Sequence, residues 1–275
     1  MAAGSAKIYR SRTMKRHFAL FKRLLIANWN ALIEYRGDFV TQIISSLVFS
    51  LNHVIIVLLL TIKVPSVYGW SREELLLLAA TYNVFIGVFH TFISRNLDHI
   101  ADEIYFGKLD YILLKPIDNQ LATMIWKINY VSLIRLFFGL LLTFYIVRTM
   151  HISVTIPMIA EYVVVIMLGV FMLYSFWLPF ISLMIFNPRL SNIVILLFNI
   201  TNVSRYPKEM FARLPLYIFI PLLPLALILT SPVKILINKF TYDLLLEFLI
   251  VVVAIGLVAR YVWKFSLRFY TSASS

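Results

Sequence analysis

Long apolar runs separated by short polar breaks dominate the chain. A helix needs about 20 mostly apolar residues to cross the ~30 Å hydrocarbon layer of a bilayer. Residues 39–62, 75–93 and 244–262 meet that length, and so does 158–180. Residues 120–147 form a further helix. Its first half carries Lys127 and Arg135, and its second half, LFFGLLLTFYIV, is continuously apolar. Arg135 either reaches toward the interface or sits buried. KVPSVYGWSREE joins the first two runs, with Pro65, Gly69 and an interfacial Trp70 as loop signals. No strand-length alternation recurs, so the pattern predicts an all-α membrane protein of six transmembrane helices.

The fifth crossing has two readings. In one, residues 190–203 cross and a proline-broken re-entrant hairpin over 207–235 dips into the outer leaflet. In the other, residues 214–230 cross and the shorter segment lies in the interface. The excess of cations on cytoplasmic loops favours the second, because Arg205, Lys208 and Arg213 would then face the cytoplasm. Pro221, Pro224 and Pro232 favour the first, because interrupted backbone at membrane depth needs protein or a cavity around it.

Residues 1–13 read as a flexible extension, with Met14 a plausible start. From 14 to 35, Phe18, Phe21, Leu25, Trp29 and Leu32 recur at helical spacing, and Lys15, Arg16, Lys22 and Arg23 lie off that stripe. This predicts either a helix lying in the membrane interface or the solvated start of the first span. Lys22 and Arg23 interrupt the early apolar run, which argues against a secretory signal. Basic residues before the first span, together with Arg260, Lys264 and Arg268 after the last, place both termini in the cytoplasm.

The formal net charge is +12, but the cations cluster at the ends of apolar runs rather than along one groove. Anionic lipid and topology explain them, and nucleic acid is not an expected partner. There is no cysteine, and the five histidines (17, 53, 90, 99 and 151) are scattered, so no metal site is expected. No phosphate-binding loop, H-E-x-x-H or G-x-S-x-G motif occurs, which excludes those routes to catalysis. Asp98 and Asp102 have the spacing by which intramembrane prenyltransferases hold magnesium diphosphate. The second acidic pair such an enzyme needs, Asp243 and Glu247, is expected on the opposite side of the membrane.

A charged stretch, RNLDHIADEIYFGKLDYILLKP (residues 95–116), separates the second and third spans. Leu97, Ile100 and Ile104 define one helical face, Asp98 and Asp102 another, and Gly107 can end the helix. An amphipathic cytoplasmic helix over 96–106 follows, with its polar face left for a partner. Polar residues also recur at helical spacing within two spans: Gln42, Ser46, Ser50 and His53 in the first, and Asn192, Asn199 and Asn202 in the fifth. They either line a pathway or hold helices together by hydrogen bonds.

GKLDYILLKP resembles the G-x-L-D-x-x-L-x-[KR]-P segment after the second span of ABC-2-type transporter permeases. EYRGDF, YGWSREELLLL, SRYPKEMF, PLALILTSP and WKFSLRFYTSA agree with the same subgroup, so the likeness covers about Met14 to the end. It implies the six-helix permease of an ABC exporter in the cell inner (plasma) membrane. Two permeases, identical or related, would work with two ATPase subunits carrying ATP and magnesium. No cofactor is expected on this chain. The cytoplasmic helix would couple to the ATPase through Arg95, Asn96, Asp98, Asp102, Glu103, Gly107 and Lys108. The likeness also favours the re-entrant reading. An ATPase-independent channel or membrane anchor is the alternative.

Overall fold

The computed structural model describes residues 26, 36–62, 64, 66–114, 118–124 and 127–271. The expected extension and most of the expected interfacial helix, 14–35, lie outside them. The helices are α1 (Arg36–Thr61), α2 (Arg72–Phe89), α3 (Arg95–Tyr105), α4 (Asp110–Leu113), α5 (Asn119–Ala122), α6 (Ser132–Thr149), α7 (Ile156–Ser182), α8 (Ile193–Thr201), α9 (Leu216–Leu236) and α10 (Tyr242–Ser266). A two-residue antiparallel pair, β1 (Ser66–Val67) and β2 (Trp70–Ser71), closes the loop after α1. Among the described residues six helical stretches are long and apolar enough to cross a membrane, the number the pattern predicts.

α2 is the central column, packed by α6 and α1 on one flank and by α7 and α9 on the other. Its start is fixed by a capping box. The Ser71 hydroxyl accepts the Glu74 amide, and the Glu74 carboxylate accepts the Ser71 amide. Close approach to α6 depends on two glycines: a Cβ at Gly87 would lie 2.6 Å from the Leu136 nitrogen, and one at Gly139 would lie 2.5 Å from the Val84 nitrogen. On the other flank Phe89, Trp177 and Phe198 pack edge to face with centroids 5.4 and 4.7 Å apart. α1 shows the reverse composition, with Val40, Ile44, Val48, Phe49, Ile55, Leu59 and Leu60 exposed, as on a helix facing lipid or a second subunit.

The third span does not run unbroken from 120 to 147. α5 ends at Ala122, turns follow, and the crossing helix begins at Ser132. The span expected over 190–203 is likewise divided, into a 3-10 turn (Pro188–Asn192), the nine-residue α8 and a second 3-10 turn (Asn202–Arg205). This broken segment still joins the two ends of the bundle. Phe186 packs on Phe265 and Phe269 at the end of α10, whereas Lys208 pairs with Glu247 near its start.

Over the residues expected as a hairpin the structure has one helix, α9, the fifth of the six long enough to cross. The prolines remove N–H donors without ending it, and Pro224 and Pro232 are buried among neighbouring helices. Both flanks of α9 are tied to the same end of the bundle. The Arg213 guanidinium sits 6.0 Å from the Tyr68 ring centroid, and Lys239 pairs with Glu74 at 2.6 Å.

Candidate functional site

α2 and α3 form one continuous helical column, joined by a π-helical turn at His90–Ser94. The sequence pattern predicts two separate helices here. The whole column, Arg72–Tyr105, has 34 residues. At 1.5 Å per residue it is ~51 Å long, about 20 Å more than the hydrocarbon is thick. With Arg72 at one interface, α3 projects beyond the other. A π turn frees a carbonyl from the regular ladder, and here the Thr91 carbonyl accepts the Asn129 amide at 2.9 Å.

α3 is amphipathic as expected. Leu97, Ile100, Ala101 and Ile104 are buried against the end of α7 and the turns at 183–192. Gly107, at φ +67°, ends it. The Lys108 amide bonds the Glu103 carbonyl and the Gly107 amide the Ile104 carbonyl, the double closure that favours glycine at this point. Arg95, Asp102 and Lys108 are exposed, and Glu103 is half-buried beside His99. Beside these charges Tyr105, Phe106, Tyr111 and Leu114 also lie on the surface. So many bare apolar side chains around a charged rim mark an interaction surface.

Asn96 differs from its neighbours, because it is 1% exposed and cannot face a partner. Its amide donates to the carbonyls of Phe92, Met124 and Lys127, and its oxygen accepts the Lys127 amide at 2.6 Å. Asn96 is a structural latch. Asp98 is half-buried, with one oxygen enclosed and unbonded. Burial pushes its carboxyl up to about 6, against the opposing pull of Arg95, while Asp102 adds to the rise.

The surface is braced from α10. Arg260 grips Asp118 through both carboxylate oxygens and also donates to Gln120 at 2.9 Å. The Tyr270 hydroxyl donates to the Gly107 carbonyl at 3.1 Å. The end of the last helix, the loop after α3 and α3 itself are thus one connected unit.

The polar stripe separates into two groups. Gln42 bonds Asp38 near the start of α1, the backbone carbonyl of Ser46 accepts the Ser50 hydroxyl within α1, and Asn192 and Asn199 are exposed. His53, Ser50 and Asn202 converge on Tyr82 and Asn83 of α2. The His53 ring stacks on Tyr82 at 4.6 Å, the Tyr82 hydroxyl donates to Asn202, and the Asn83 amide reaches the Ser50 carbonyl at 3.5 Å. The stripe's pattern does not single out the residues completing this group. Arg135 donates from Nε to Asn83 at 3.1 Å, and Arg205 lies over the Tyr82 ring. The rarity of a cation inside an apolar run is the sequence signal that marks Arg135.

Asp98 and Asp102 stand at the end of the bundle where α10 finishes, and Asp243 and Glu247 stand where it begins. One diphosphate cannot bridge them. Among the described residues no group of three histidine, aspartate or glutamate side chains is placed to hold a metal.

No curated protein and no solved structure matches the chain. A family profile described as "ABC-2 family transporter protein" matches residues 47–274, nearly the whole chain and all six long apolar helices except the start of the first. On that match the chain belongs to the ABC-2 family of transporter membrane proteins.

Proposed function

We propose that this chain is the permease subunit of an ABC exporter, paired with a second permease and driven by two separate ATPase subunits docked on α3. The observation that carries the reading is the combination, in one ABC-2 family chain, of a membrane bundle with a helix that projects beyond it bearing exposed charge and aromatic groups. On this reading the α3 end faces the cytoplasm, together with both chain termini, in the cell inner membrane. Arg95, Asp102, Glu103 and Lys108 supply the polar contacts, Tyr105 and Phe106 the apolar ones, and Asn96 and Gly107 fix the helix that presents them.

Coupling follows from the continuity of α2 and α3. A force on α3 acts along the same column that carries Tyr82 and Asn83, and the bracing by Arg260 and Tyr270 passes it to α10. ATP closure of the docked subunits then tilts packed helices as rigid bodies, opening the space between two permeases alternately to each side. Chemistry stays on the ATPase. The exposed apolar face of α1 and the broken segment 188–205 border that space, with His53 and Asn202 at mid-depth.

The test is affinity purification of the chain from its native membrane in mild detergent, with ATPase activity assayed on the eluate. A co-purifying ATPase that is lost on Asp102→Lys/Phe106→Ala supports the reading. Failure to recover any ATPase activity with the wild-type chain would return the channel or anchor alternative.

A further inference from the structure

Three lysines at the α10-start end of the bundle each have a glutamate: Lys208 with Glu247, Lys234 with Glu209, and Lys239 with Glu74. The two arginines deeper in the bundle have none. Arg135 and Arg205 lie 5.5 and 5.0 Å from the centroid of the same Tyr82 ring, and among the described residues no carboxylate is within ion-pair distance of either. Tyr82 stands about 15 Å along α2 from Arg72 at 1.5 Å per residue, near half the hydrocarbon thickness. Two like charges at that depth cost several kcal/mol each unless an anion joins them.

The donors for such an anion are present. Arg135 spends its Nε on Asn83, which leaves its terminal nitrogens available, while Arg205 Nε is enclosed and makes no hydrogen bond. His53, stacked on the same Tyr82 ring, has its Nε2 enclosed and unbonded as well. Both arginine side chains are partly exposed, so a molecule moving between the helices can reach them. Guanidinium forks match the paired oxygens of phosphate and carboxylate groups.

We propose that Arg135 and Arg205, held on Tyr82, form an oxyanion-binding site for the phosphate or carboxylate group of a molecule that enters the bundle at mid-depth. That this molecule is transported cargo rests on the permease reading. That the site binds an oxyanion does not.

The experiment uses the full chain without any ATPase, in nanodiscs of phosphatidylcholine containing increasing phosphatidylglycerol, with retained lipid counted by native mass spectrometry. A parallel titration uses inorganic phosphate. Wild type is compared with Arg135→Gln and Arg205→Gln, and with the lysine variants, which keep the charge and lose the fork. The site predicts binding at least about tenfold weaker in each glutamine variant, since a charged hydrogen-bonding pair contributes on that scale. Arginine-dependent retention of phosphatidylglycerol alone identifies a membrane amphiphile, and arginine-dependent binding of free phosphate identifies a soluble anion. Equal binding by wild type and both glutamine variants overturns the site, as does a wild type that binds neither probe. If a glutamine variant does not fold, weakened binding in its lysine counterpart supports the site and undiminished binding there counts against it.

Discussion

Asn96 and Lys127 exchange hydrogen bonds in both directions, side-chain amide to backbone carbonyl at 2.9 Å and backbone amide to side-chain oxygen at 2.6 Å. This pair fastens the column of α2 and α3 to the chain that leads into α6, just past the π-helical turn. Asn96→Ala leaves a buried backbone amide and carbonyls without partners, and it should cost about 2–4 kcal/mol. Thermal unfolding in detergent should show the loss, and ATPase recovery should fall with it although the side chain touches no partner.

Asp98 gives the projecting helix a pH dependence. Its folded carboxyl titrates at about 6, above the ordinary 3.8, so the folded state holds the proton more tightly than the unfolded state. The stability it contributes is complete below the unfolded value and is lost as pH rises through the folded one. Asp98→Asn should therefore raise the unfolding temperature at about pH 8 and make little difference at about pH 4. An unchanged difference across that range would contradict the enclosed carboxylate.

The α2–α6 contact depends on the absence of a side chain at two positions. Gly139→Ala places a methyl 2.5 Å from the Val84 nitrogen and 2.9 Å from the Asn83 carbonyl carbon, where only backbone can yield. The substitution should destabilise the bundle by about 2 kcal/mol through overpacking. It should also disturb the Arg135–Asn83 contact beside it. Gly37→Ala, with nothing within 4 Å of the added carbon, is the matched control, and both are read by thermal unfolding.

Legibility followed the strength of local signals. Leu97, Ile100 and Ile104 announced their buried face by spacing, and Gly107 announced the helix end, because both are properties of a few consecutive residues. The continuity of α2 with α3 was hidden: the change from apolar to charged residues at Ser94–Arg95 marks an environment boundary, which a helix can cross unbroken by way of a π turn. The run of prolines in α9 looked like a break because its burial depends on helices distant in sequence. The basic residues around 205–213 raised a conflict with the distribution of cations across membranes. Packing relieves part of it, since Lys208 meets Glu247. Only the fold could bring Arg135 and Arg205 to one tyrosine, because the ring they share lies on a third helix.

The absence of cysteine permits a direct test of the proposed docking surface. Single cysteines introduced as Asp102→Cys and Tyr105→Cys, and at the opposite end as Tyr68→Cys, can each carry a short photo-crosslinker in native membranes. The account predicts cross-links from residues 102 and 105 to a nucleotide-binding ATPase subunit, strengthened or weakened by ATP, and none from residue 68. An ATPase adduct at residue 68, or at none of the three positions, would contradict α3 as the site through which this permease is driven.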